Sequence, residues 1–440
     1  MNSIENYLVG HAIQIGDKDA IVCKGKKISY YELYAYSKER ANQFLKSGEK
    51  AIILKVSQDE EFIISYFGAH LAGLPIVPLE KDIPDYRMME IHEIIKNSTI
   101  HKNISDILFT TGTTGKQKGV MISREAILAN AENLIEAQEF TQELAFVICG
   151  PLNHIGSLSK IWPMIVVGGT IIITEGIKDT DSFFQSLELP YWKFGTFLVP
   201  ASIRMLLKFE KDRLEAYSDR FDFIETGGAA LMTNDMEELC RLFNNTRLYN
   251  TYASTETGII STHDYRHNGC ITGCVGHVMK HSEVFITENS LISCKGKTLM
   301  SGYVGDDSLT HSILKNGVLY TSDIGRFDSS NNLILYGRKG DVINIGGYKV
   351  MPTEVEDVAS TYKGISDCIC IGEPHPIMGN ILRLIYSINK NTDFEKKAFI
   401  EYIKQNIESY KVPMIYEEVE SIHRTFNGKL DRNYYCTKQT

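Results

Sequence analysis

The chain has 440 residues, 43% of them hydrophobic and 23% charged, a composition that excludes a disordered or fibrous protein and allows two or more buried cores. Its net charge of -9 disfavours a nucleic acid or an anionic membrane surface as partner, because both select basic faces. The expected partner is small, or locally basic.

From Ile28 onward, Leu33, Ser37, Ala41 and Leu45 recur at steps of four and predict an amphipathic helix ended by Gly48. An apolar strand at 51–56, a helix from Glu60 to Ala72 and a strand from Ile76 to Leu79 follow. Alternating helices and apolar strands predict a layered α/β domain. The N-terminus has no basic flank leading into an apolar run and no cleavage pattern, which predicts a cytoplasmic location. The most apolar stretch, 161–174, contains Pro163 and Gly168-Gly169 and falls short of the ~20 residues a membrane helix needs, so a core segment and no membrane span are expected.

The stretch 107–122 reads ILFTTGTTGKQKGVMI, two short apolar runs joined by a loop of Thr, Gly and Lys. The runs predict buried strands. Gly112, Gly115 and Gly119 let amides approach a ligand, Thr110, Thr111, Thr113 and Thr114 add hydroxyls, and Lys116 and Lys118 add positive charge. Together these meet the needs of phosphate oxygens. A Walker A loop is excluded: its glycines stand farther apart, its lysine precedes Ser or Thr where Lys116 precedes Gln117, and a helix follows it. The competing reading is a glycine-rich hairpin that binds nothing.

Beyond the loop, Ser123 is placed to cap a helix with Ile127, Ala131, Leu134 and Ile135 on one face. Small residues Gly228, Ala229 and Ala230 follow an apolar strand and suit a planar base. Tyr252, Thr255 and Glu256 supply an aromatic face, a hydroxyl and a carboxylate within five residues, suited to adenine, phosphate and Mg²⁺. Asp323 is expected in a turn, where aspartates are common. The nine cysteines lack C-x-x-C spacing, and Cys368 and Cys370 are expected as buried thiols on one strand face. Thr353-x-x-Glu356 and Thr392-x-x-Glu395 read as capping boxes of two helices in a small α+β unit.

In this order the motifs resemble the adenylate-forming superfamily, which includes acyl- and aryl-CoA synthetases, luciferases and peptide-synthetase adenylation domains. TTGTTGKQKG is similar to the family's phosphate loop, with Gln117 in place of a usual Pro, and YNTYASTE to its Tyr-Gly-x-Thr-Glu motif, with Ala253 in place of Gly. The resemblance extends to NGKLDR at 427–432, which looks like the terminal loop carrying a catalytic lysine, here Lys429. It implies a large layered N-terminal α/β domain, 1–339, followed by a small mobile α+β C-terminal domain, 340–440, swivelling at Gly340. Before the phosphate loop the chain is shorter than the family pattern, so a strand-helix unit is expected to be missing.

The implied chemistry is attack of a small-molecule carboxylic acid on ATP, giving an acyl-adenylate and pyrophosphate, then capture of the acyl group by a thiol. The resemblance gives Lys429, Thr255, Glu256 and His154 catalytic places, with Glu256 holding Mg²⁺. It assigns Thr110, Thr111, Gly112, Thr113, Thr114, Gly115, Lys118 and Gly119 to the phosphates, and Gly228, Ala229, Ala230, Asn250, Tyr252, Asp323 and Arg338 to the rest of the nucleotide. No acidic residue lies in 153–157 to pair with an ammonium, which disfavours an amino acid substrate. The acceptor is coenzyme A, making the protein an AMP-forming acid-thiol ligase, or alternatively a phosphopantetheine carrier protein. A nucleotide-binding protein that has lost catalysis is a third reading, disfavoured because the functional side chains are all present.

Overall fold

The described helices and strands build five sheets, and two of those in the large domain pack with helices between them. The computed structural model describes residues 3–111, 117–389, 392–424 and 430–437. One sheet has five strands in the order Ile52–Lys55, Ile76–Leu79, Ile104–Thr111, Gln117–Ser123 and Gly302–Tyr303. Between Ile76–Leu79 and Ile104–Thr111 a single helix, Asp85–Asn97, makes the connection. The other sheet has nine strands. At its centre Arg247–Ser254, Phe221–Gly227, Lys193–Leu198, Leu144–Ile148 and Thr170–Ile173 run parallel.

Strand alternation sends neighbouring side chains into different cores. Phe146 and Ile148 face the inter-sheet core together with Leu108 and Val120 of the other sheet. Ala145 and Val147 face a second core with Phe194 and Leu206, and Ile107 and Met121 a third with Ile91 and Ile95. The helix Glu60–Ala72 lies between the sheets and is apolar around most of its circumference, with Phe62, Ile63, Ile64, Tyr66 and Phe67 all buried. Asp59 caps it and Gly73, at φ +72°, closes it. The helix Tyr30–Ser47 forms as read and ends at Gly48, but Leu45 is 59% exposed, so its buried stripe is Tyr30, Leu33, Ser37 and Ala41. It starts with a capping box between Ser29 and Glu32 that the step-of-four pattern did not reveal.

Inside the inter-sheet core lies a charged cluster. His70 sits between Asp106, 2.8 Å from Nε2, and Glu5, 3.3 Å from Nδ1. Tyr66 donates to Asp106 at 2.8 Å and receives the Trp162 indole N–H at 2.8 Å. Burial pushes His70 down, but the hydrogen bond to Asp106 and the two carboxylate charges outweigh it and bring the imidazolium up to about 9 from its usual 6.5. Burial pushes Glu5 up, yet His70 brings it down to about 2 from 4.5. The stabilisation from His70 is therefore complete below pH 6.5 and lost as pH rises through about 9, and that from Glu5 is complete above 4.5 and lost as pH falls towards 2. Urea unfolding of the wild type is expected to weaken between pH 6.5 and 9 more steeply than that of His70→Gln, which has no such proton to lose. Parallel declines in the two proteins would refute the linkage.

The C-terminal unit is a small α+β domain after the large α/β one. Its sheet joins Ile365–His375, Gly379–Ile388 and Ile415–Glu418, with helices Pro352–Ser360 and Lys396–Asn406. Cys368 and Cys370 are buried on one face with Val355 and Phe399, and Ile369 and Ile371 on the other, as the alternation required. The capping boxes differ from the expectation. Met351 caps the first helix, with Glu354 accepting its N–H at 3.3 Å, while Thr353 donates to the Tyr336 carbonyl and Glu356 is buried against Arg432. The second helix begins at Lys396 after Glu395, without a side-chain cap. Asp367 bridges Arg204 of the large domain, at 2.8 Å, and Arg424, at 2.6 Å, and Asp357 accepts from the Thr233 N–H at 3.1 Å and the Thr272 hydroxyl at 3.0 Å. Among the described residues no helix is long and apolar enough to cross a membrane.

Candidate active site

Two parallel strands end side by side where the sequence placed the nucleotide. Gly227 of Phe221–Gly227 lies opposite Thr251 of Arg247–Ser254, and a Cβ on Gly227 would stand 2.8 Å from the Thr251 carbonyl. In open parallel sheets ligands bind outside the carboxyl ends of strands. Gly228 takes φ +82°, a conformation open to glycine, and Gly228, Ala229 and Ala230 are exposed. A bare edge of small residues results.

On the neighbouring strand, reciprocal bonds close the turn: the Ser254 N–H donates to Thr257 Oγ1 and the Thr257 N–H to Ser254 Oγ, each at 3.0 Å. Thr255 and Glu256 form its apex, both half-buried. The Met300 N–H donates to the Glu256 carbonyl at 2.9 Å and the Tyr303 hydroxyl to Oε1 at 2.9 Å. The phenol on the carboxylate is neutral, so the carboxylate charge remains for a hard divalent cation, and an oxygen donor of this kind fits Mg²⁺.

The loop expected to bind phosphate is tethered by antiparallel strands, Thr111 opposite Gln117 and Thr110 opposite Lys118. Gly112, Thr113, Thr114, Gly115 and Lys116 lie outside the described residues, as does the side chain of Thr111. The Lys118 ammonium stands 5.8 Å from the centroid of the Tyr303 ring, which joins Lys118, Tyr303 and Glu256 into one group. Gly119 is demanded by packing: a Cβ there would stand 2.5 Å from Val304 and 2.8 Å from Phe109.

A second group forms around Asp323. It is in the strand Val318–Phe327 and not in a turn, paired across the sheet with Arg338 of Leu333–Arg338. The pairing brings Arg338 Nε to 3.3 Å from Asp323 Oδ1. Tyr252 donates to Oδ2 at 2.5 Å, and burial together with this carboxylate pushes the phenol far up. The Tyr252 ring is buried among Ile260, Ile292 and Leu333, so the aromatic face read from the sequence is an inward one. Asn250 is buried too, its amide donating to the Cys274 carbonyl at 2.8 Å.

His154, half-buried, stands at the start of the short helix Ile155–Leu158. Phe197 lies against both sides of this region: a Cβ on Gly156 would come within 2.8 Å of the ring and one on Gly227 within 3.4 Å. Beneath Phe197 sits a pair that motif reading missed. Lys160 contacts both oxygens of Glu225, at 2.8 and 2.6 Å, with 2% and 0% of the residues exposed, and stands 5.1 Å from the Phe197 centroid. Burial pushes the lysine down from its usual value, and Glu225 opposes that shift. The signal for it was a lysine immediately before the most apolar stretch of the chain.

The family profile for AMP-binding enzyme matches residues 97–304, and that for the AMP-binding enzyme C-terminal domain matches 354–429. The chain belongs to the adenylate-forming AMP-binding enzymes. It is 26% identical to a 2-succinylbenzoate–CoA ligase of Staphylococcus epidermidis, over 97% of this chain and 96% of the relative. A 2-succinylbenzoate–CoA ligase of Staphylococcus aureus is 28% identical over 77% and 68% of the two chains. In fold, this adenylate-forming enzyme is similar to ATP-bound MatB from Rhodopseudomonas palustris, with a TM-score of 0.89 at 19% identity over 100% of both chains. It is similar also to o-succinylbenzoate CoA synthetase from Bacillus subtilis in complex with the acyl-adenylate OSB-AMP, with a TM-score of 0.83 at 20% identity over 98% and 97%. Lys429 is the last residue of the matched C-terminal segment and lies outside the described residues.

Proposed function

We propose that this protein is an ATP-dependent, AMP-forming acid-CoA ligase whose acid is an aryl acid of the 2-succinylbenzoate class. Similarity along nearly the whole chain to ligases named for that acid carries the reading. In the first step a carboxylate oxygen attacks the α-phosphorus, a P–O bond forms, and the bond to the bridging oxygen breaks to release pyrophosphate. In the second, the coenzyme A sulfur attacks the acyl carbon and AMP leaves with the oxygen.

In this reading the residues Thr110, Thr111, Gly112, Thr113, Thr114, Gly115, Lys118 and Gly119 hold the pyrophosphate portion. The edge Gly228-Ala229-Ala230 takes the base, with Asn250 and Tyr252 supporting it from behind. Asp323 grips the ribose hydroxyls beside Arg338. Thr255 faces the α-phosphate, and Glu256 holds Mg²⁺, which supplies charge neutralisation at the phosphates. His154 borders the acid, whose ring lies towards Phe197. We place the domain boundary at 339/340, with Gly340 as the pivot. A Cβ there would meet nothing within 4 Å, so no side chain favours either orientation.

Exchange of labelled pyrophosphate into ATP should require both an acid and Mg²⁺. It should be strongest with 2-succinylbenzoate in a panel of aryl, fatty, dicarboxylic and amino acids, and adding coenzyme A should then yield the thioester. Exchange with amino acids alone, or transfer only to a carrier-bound thiol, would contradict the proposal.

A further inference from the structure

We infer that Tyr303 is a positioning residue of this active site: its hydroxyl orients the Glu256 carboxylate, and its strand couples that carboxylate to the phosphate loop. The inference rests on the ligase reading above. No motif picked out Tyr303, which stands 47 residues beyond Glu256 in the chain.

The segment 300–304 is stitched to both parts of the site. At its start the Met300 N–H donates to the Glu256 carbonyl at 2.9 Å, and the Ser301 N–H to the Met121 carbonyl at 2.8 Å. Tyr303 then pairs with Val120, and the Val304 N–H donates to the Gly119 carbonyl at 2.8 Å. Gly119 and Val304 pack so closely that no Cβ fits between them, so the register cannot slip without a clash. The Thr310 hydroxyl accepts the Tyr303 N–H at 2.9 Å, fixing the segment from the far side. Tyr303 is 3% exposed, so its ring has no freedom to swing away. From that fixed ring the hydroxyl reaches Glu256 Oε1 at 2.9 Å, and Lys118 stands over the ring.

Chemically, the phenol occupies one carboxylate oxygen and leaves the other for a cation. A glutamate already held by a buried donor loses less side-chain freedom on gripping a metal than one that samples several rotamers. Because the same segment is bonded to the strand leading out of the loop read as phosphate-binding, the Glu256 carboxylate that would hold the cation and that strand are placed from one rigid element.

Tyr303→Phe removes the hydroxyl and keeps the ring under Lys118. ATP binding is measured by titration calorimetry with Mg²⁺ and in EDTA, on protein whose thermal melt confirms folding. The variant is expected to bind ATP about tenfold more weakly than wild type with Mg²⁺ and within about twofold of it in EDTA, the size of one hydrogen bond to a charged group. Tyr303→Leu should show the same metal-specific loss, and in a Glu256→Gln background Tyr303→Phe should add nothing. Equal loss with and without Mg²⁺, or an undiminished Mg²⁺ effect, overturns the role given to Tyr303. Wild-type binding that is itself indifferent to Mg²⁺ overturns instead the metal reading on which it rests.

Discussion

Replacing Lys429 by alanine should slow adenylate formation about a hundredfold and leave thioester formation from preformed acyl-adenylate near the wild-type rate. The resemblance gives Lys429 a catalytic place, and we propose that its charge serves the first half-reaction, near the carboxylate and the α-phosphate, where negative charge builds as the P–O bond forms. Loss of one such contact in a water-poor site removes roughly 3 kcal/mol of transition-state stabilisation, which is about a hundredfold in rate. Thiol transfer needs no charge at that phosphate. Single-turnover assays of the two half-reactions, started from acid with ATP and from the synthetic adenylate with coenzyme A, separate the steps. A folded variant slowed equally in both would end the assignment of Lys429 to the first step.

Removing either member of the Lys160–Glu225 pair should be among the most destabilising single changes in the large domain. With both side chains almost fully buried, each offsets the other's cost of leaving water. Breaking a buried pair leaves an uncompensated charge and costs about 3–5 kcal/mol, whereas apolar replacement of both partners is often close to neutral. Chemical denaturation of Lys160→Met and Glu225→Gln should show that loss, and Lys160→Met/Glu225→Leu should recover most of it. Single variants that lose less than about 1 kcal/mol would mean that water reaches the pair and that it contributes as little as a surface ion pair. Since Phe197 lies on Lys160 and borders both Gly156 and Gly227, the double variant also reports whether the pair shapes the acid side of the site.

Local chemistry was legible without the fold. Glu60–Ala72 and Ile76–Leu79 begin and end where the residue pattern placed them, and the cap at Ser123 forms as expected, because periodicity, caps and glycines act over a few residues. Two of the expectations that went astray have identifiable reasons. Asp323 reads as a turn residue because aspartate favours turns, but pairing with the Leu333–Arg338 strand draws it into a ten-residue strand. Thr353 and Glu356 have the spacing of a capping box, yet Arg432, 76 positions away, takes the Glu356 carboxylate into the core.

The sequence by itself pointed to the class of chemistry: a threonine- and glycine-rich loop with two lysines and a Thr-Glu pair suited to phosphate and metal, in an order resembling a known family, a resemblance that alone singled out Asp323 for a ribose and Lys429 for catalysis. Tertiary structure alone decided which side chains hold those groups. Tyr303 on Glu256, Tyr252 on Asp323 and Glu225 on Lys160 are separated by 47, 71 and 65 residues. Contacts over such distances arise only when strands far apart in the chain are laid side by side, and no periodicity or spacing rule spans them. Motifs persist as local strings because a ligand is gripped by consecutive backbone and side-chain groups, whereas the second layer of support is drawn from whichever strand the sheet order places next to them.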